Sequence, residues 1–119
     1  MNLNGKEYPV PVVEKYSDLV RYEAKGIKIM AIAEASFYDP ANIATSVVRG
    51  VSYFTGLSFE EALYEVDSHL EAGNSLDDLL EEMLKDTEKM KENGAIEGFS
   101  KGVKTPQDHK KSKATKTVK

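Results

Sequence analysis

The 119-residue chain has no cysteine, no tryptophan, only four prolines and no long apolar run. Without cysteine there can be no disulfide, no thiolate metal site and no thiol nucleophile, and the composition suits a reducing compartment. The longest apolar stretch nearly free of charge is Ile29–Ala33, far short of the roughly 20 residues a membrane-spanning helix needs. The opening residues, MNLNGKEYPV, lack a charged-then-apolar leader pattern, so a cytoplasmic address is expected. There is no glycine-rich phosphate loop and no convincing nucleophile–histidine–acid order, so an enzyme is not expected.

What is present is an uneven distribution of charge beneath a net −4. Residues 1–59 balance six acids with six bases, residues 60–97 set thirteen acids against Lys85, Lys89 and Lys91, and residues 101–119 carry seven lysines against Asp108. A segment of charge −10 repels phosphate, which argues against nucleic-acid binding by the folded body. At this length one modest hydrophobic core is possible, and residues 1–98 are expected to form a single, mainly α-helical domain. The lysine-rich residues 99–119 lack periodicity and are expected to be a disordered basic tail.

Turn and cap residues divide the domain. Asn4-Gly5 is a strong hairpin signal, predicting a short β-hairpin over residues 1–13. In it Tyr8, Val10 and Val12 point one way, while Pro9 and Pro11 confine the second strand to an edge. Ser17 is placed to cap a helix over about 17–38, with Gly26 ending or bending it. Asp39 and Pro40 read as N-cap and first residue of a helix over about 40–55 that Gly56 stops. Its apolar stripe is Ile43, Val47, Val48, Val51 and Phe54, and Gly50 within it weakens the helix or admits a close neighbour. Ser58 with Glu61, and Ser75 with Asp78, have capping-box spacing and predict helices over about 59–72 and 76–92. Asn93-Gly94 would close the last. The result is four to five short helices bundled with a hairpin.

Few residues offer chemistry. Glu65 and His69 share a helical face, but one such pair falls short of the three or four ligands a metal site uses, so no metal and no cofactor are expected. Asp77, Asp78, Glu81 and Glu82 lack the alternation and the turn glycine of a calcium loop, and read as a solvated helix face. The last helix is the most amphipathic. Along it Leu79, Met83 and Met90 are the candidates for a partner-binding groove, with Asp78, Glu82 and Glu88 as an acidic rim, and Leu76 and Leu80 as core. Methionine adapts to varied apolar surfaces, and such a rim favours amphipathic helices bearing Lys or Arg.

Over residues 2–93 the order of elements resembles the small tail assembly chaperones of long-tailed bacteriophages. The resemblance is carried by the NGKEY hairpin, the apolar helix, DPANIATSVVRGVSYFTG, LSFEEALYEVDSHLEAG and the acidic leucine helix. It implies a helical non-enzyme of the host cytoplasm that binds the tape measure protein, a very long helical chain, before the tail tube polymerises around it. Self-association is compatible with it; nucleic-acid and membrane partners are not expected. A small acidic regulator or adaptor that binds a basic amphipathic helix is the alternative from the residues themselves.

Overall fold

Asn4 and Gly5 both hold left-handed backbone conformations, φ 53° and 83°, and so fold the chain back in a two-residue turn. In a computed structural model of the protein, which describes residues 1–92, this turn joins β1 (Asn2–Leu3) to β2 (Lys6–Glu7) as an antiparallel pair. One further rung, between Met1 and Tyr8, ends the pairing. From Pro9 the chain leaves the ladder, because proline has no N–H to continue it. The expected 1–13 hairpin is therefore shorter, and the side-chain alternation does not survive past Val10: Pro11 and Val13 turn inward while Val12 is exposed. The basic tail expected at 99–119, and the helix stop at Asn93-Gly94, lie outside the described residues.

The long helix expected over 17–38 is two helices. The first, α1 (Tyr16–Ala24), begins before Ser17, and its entry is held by Asp18, whose carboxylate accepts the amides of Glu14 and Lys15 at 3.0 Å each. Gly26, at φ 88°, ends it: the Gly26 and Ile27 amides donate to the carbonyls of Glu23 and Tyr22, the paired bonds of a Schellman motif. A second helix, α2 (Ile29–Ala33), then buries Ile29 and Ile32 and closes with the same pattern at Ala35, an alanine forced to φ 55°.

Asp39 is not an N-cap. Its carboxylate accepts the Asn42 side-chain amide at 2.8 Å and the Ala41 amide at 3.0 Å, which commits it to a local turn. The next helix, α3 (Ile43–Thr55), starts beyond that turn, and the buried Ser46 hydroxyl receives the Asp39 amide at 2.8 Å. Both capping boxes are in place. Ser58 and Glu61 exchange bonds to open α4 (Phe59–Glu71), and Ser75 and Asp78 do so for α5 (Leu76–Lys91).

The centre of the bundle is α3, which packs against α2, α4 and α5 through Val47, Val48, Val51 and Phe54. Two close approaches fix its position. At Gly50 a Cβ would stand 2.8 Å from the Met83 sulfur and 3.0 Å from the Phe37 ring, so the missing side chain is what lets α5 and the segment after α2 reach α3. At Gly56, φ 83°, a Cβ would meet the Lys25 carbonyl oxygen at 2.6 Å. The end of α3 and the end of α1 thus touch backbone to backbone.

The hairpin is docked by acids of α4 and α5. The Met1 ammonium, buried with its residue, pairs with the buried Asp86 carboxylate at 2.7 Å. The Asn2 amide donates to Glu82 at 3.0 Å, and the Asn4 side chain donates to the Glu65 carboxylate at 2.6 Å. Leu3 is sealed beneath these contacts.

Two outcomes are expected. Gly56→Ala forces an L-residue into the left-handed region against a backbone oxygen and should lower the melting temperature by roughly 5–20 °C, from about 1–3 kcal/mol of strain plus the clash. Gly73→Ala, left-handed but facing open space, should cost the conformational strain alone, about 1–2 kcal/mol, and so melt above Gly56→Ala. Equal melting temperatures for the two variants would remove the backbone contact from the account.

The second concerns acid. Asp18 is held below the ordinary carboxylate range by the Glu14 and Lys15 amides, Asp39 by the Asn42 side chain and then the Ala41 amide, and Glu61 by the Ser58 amide and hydroxyl. A depressed folded-state pKa contributes stability that is present above the unfolded value and lost as pH falls through the folded one. Helical ellipticity at a fixed denaturant concentration should therefore hold above about pH 5 and decline below about pH 4. In the Asp18→Asn, Glu61→Gln double variant that decline should be shallower.

Candidate functional site

Alpha-helical spacing gives α5 two apolar faces that meet at an angle. Leu79, Met83, Asp86 and Met90 form the face turned into the bundle, and all four are buried. Leu76, Leu80 and Leu84 run beside it. The first two are half-buried and Leu84 is 67% exposed. On this second face lies an apolar groove of about 490 Å³, floored by Ile32 and Met83. Leu80, Leu84 and Thr87 form its α5 wall, Ala33, Ala35, Phe37 and Tyr38 the opposite one, and Glu88 and Lys91 stand at its end.

The opposite wall is pinned rather than loose. Arg49 of α3 donates to the Phe37 carbonyl at 3.1 Å, and Phe37 packs edge-on against Phe54 with ring centroids 6.4 Å apart. Ala35 holds its left-handed conformation on the groove edge, closing α2 so that the chain turns across the opening. The volume is in the range of sites that accept apolar side chains or small ligands, about 300–1,000 Å³.

The residues expected to form a groove are divided by this geometry. Met83 and Glu88 line it. Leu79 and Met90, at 1% exposure each, belong to the core, because α5 turns them toward the bundle interior, and Met83 reaches the groove only as its floor. Asp78 is occupied as the reciprocal partner of Ser75, and Glu82 binds the hairpin through Asn2. Leu80, expected in the core, is half-buried against it, as Leu76 is, and its outer side forms a groove wall. The 30s segment supplies Ile32, Phe37 and Tyr38, which helical periodicity in α5 gave no means of finding. Asp86 was also missed: within an acid-rich helix, nothing local separates a buried carboxylate from a solvated one.

Glu65 and His69 do not converge on a common point. Glu65 accepts from Asn4, and His69 Nε2 lies 2.8 Å from the Ser75 carbonyl, tying α4 to the cap of α5. Among the described residues no group of three or more histidines and acids is placed to hold a metal ion, and no helix is long and apolar enough to cross a membrane. The chain matches no known family model, no curated protein and no solved structure.

Core and groove positions should separate on substitution. Met83→Asp and Met90→Asp bury an unpaired charge and should abolish cooperative thermal unfolding, since even truncation of such a side chain costs about 2–5 kcal/mol. Leu84→Asp, on the exposed edge, should stay within about 0.5 kcal/mol of the parent. Circular dichroism melts of the three variants decide it; a Leu84→Asp protein that fails to fold would make the groove part of the core.

Proposed function

We propose that this chain is a non-enzymatic tail assembly chaperone of a long-tailed bacteriophage, acting in the host cytoplasm to hold the tape measure protein soluble until the tail tube polymerises. The observation that carries the proposal is the apolar groove between α2 and α5, open beside Leu84 and with one wall on α5, in the most acidic part of the chain. A long helical protein awaiting its tube exposes repeated apolar faces, and a preformed groove covers such a face without chemistry. The acid excess of α4 and α5 keeps the chaperone soluble and disfavours pairing between two acidic copies.

The mainly helical fold and the sequence resemblance support the same assignment from different directions. Several adaptable side chains meet in the groove, among them Met83 and Leu84, so related but non-identical segments of one long partner can be accepted in turn. An acidic adaptor for a different basic helix would use the same surface, and the experiment separates the two.

Co-expression with the tape measure protein of the same genome should shift that protein from the pellet to the soluble fraction and retain it through a pull-down. Leu84→Asp should reduce the retained amount at least about tenfold while leaving the chaperone folded. A tape measure protein that stays insoluble with the parent chain would sink the assignment and leave the adaptor.

A further inference from the structure

The described residues end at Glu92, one position past Lys91, and Lys91 stands at the end of the apolar groove. The chain therefore leaves the bundle beside that groove. The sequence continues with Asn93-Gly94, a dipeptide suited to chain reversal, and then Ala95-Ile96-Glu97-Gly98-Phe99. From Ser100 to Lys119 the only large apolar side chains are Val103 and Val118, so Ile96 and Phe99 are the bulky anchors on offer after α5.

Reach and spacing both suit the groove. Its α5 wall runs from Leu80 to Lys91, about 17 Å at 1.5 Å per residue. A chain reversed at Gly94 spans up to about 17 Å by Phe99, at roughly 3.3 Å per residue. Positions three apart share a side in a helical or polyproline-type turn, about 5–9 Å from each other. Ile96 and Phe99 can thus enter one groove together, while Glu97 between them stays outside.

We infer that in the free chain the groove is covered by the chain's own Ala95–Phe99 segment, anchored by Ile96 and Phe99 over Ile32 and Met83. Any other apolar segment must displace it to bind. A short tether holds such a segment at an effective concentration of the order of millimolar, which an untethered partner or a second copy must exceed. The second copy is further disfavoured because its acid-rich α4 and α5 repel their like. The inference goes beyond the function proposed above and concerns the chain without a partner.

The chain has no cysteine, so one introduced pair is the only pair that can oxidise. Leu84→Cys on the exposed groove edge is combined with Ser100→Cys, which leaves both anchors intact. The control is Lys85→Cys with Ser100→Cys: Lys85 is exposed, one residue along, about 100° around α5 and not part of the groove lining. Equilibrated against glutathione in the full chain, the Leu84 pair should show an effective concentration at least about tenfold above the control. Its value should not change with protein concentration. Adding Ile96→Asp and Phe99→Asp should bring it down to the control level. Circular dichroism confirms that each variant folds.

A second measurement needs no cysteine. With 8-anilinonaphthalene-1-sulfonate, which fluoresces on exposed apolar surface, the Ile96→Asp, Phe99→Asp protein should be severalfold brighter than the parent, because the groove is uncovered. Loss of two undocked apolar side chains would instead dim the signal. Equal effective concentrations for the two pairs, no response to the aspartates, or unchanged or dimmer fluorescence would each overturn the inference. So would disulfide-linked dimers as the main product of the Leu84 pair, which would place a second copy in the groove. None of these readouts uses the tape measure protein, so the two proposals fail separately.

Discussion

Gly50 has no side chain, and the rest of the bundle is arranged around that fact. The bare patch it leaves on α3 receives the Met83 sulfur from one direction and the Phe37 ring from another. Glycine in a helix interior costs about 1 kcal/mol relative to alanine, and here that cost is offset by packing two large side chains against the central helix. The same two residues are the floor and a wall of the groove. The closeness of α5 to α3 and the shape of the candidate binding surface thus have one origin.

Around this contact the chain uses backbone geometry more than core volume. Left-handed residues at Gly26 and Ala35, with their paired amide–carbonyl bonds, end α1 and α2 and turn the chain within a few residues. Such endings satisfy helix-terminal groups that would otherwise be buried without partners. They also explain why the apolar segment around Ile29 is a single short turn of helix rather than the middle of a long one. The wall of the groove from Ala33 to Tyr38 exists because α2 stops where it does.

The acid excess has two roles in the molecule. Part of it is structural: Glu65, Glu82 and Asp86 hold the N-terminal hairpin, and Glu61 and Asp78 hold helix starts. Asp86 carries the largest consequence, because a buried carboxylate is tolerable only beside a compensating charge, here the Met1 ammonium at 2.7 Å. Asp18 and Asp39 are structural too, each holding a local turn, while Asp77, Glu81 and Glu88 of α5 stay exposed among Lys85, Lys89 and Lys91. Net charge alone would describe these groups as one solvated face.

What the amino-acid sequence determined by itself is the set of features whose partners lie within four residues. The Asn4-Gly5 turn, the capping boxes at Ser58 and Ser75 and the stop at Gly56 are local contests between a few hydrogen bonds, and each is legible from its own short stretch. Asp39 was misread for the same local reason: a cap and a tight turn both reward a carboxylate near free amides, and Asn42 and Ala41 took the bonds first. Tertiary structure decided the faces. Helical spacing put Leu79, Leu80, Met83, Leu84 and Met90 on one broad apolar side of α5, but an 8–10 Å helix contact covers only part of such a side. Which part depends on where α2 ends and where Gly50 lets α5 settle, and these are distances between residues more than thirty positions apart. Met90 is therefore core, Leu84 is exposed and Met83 lies between them, a division that no periodicity in α5 could have encoded.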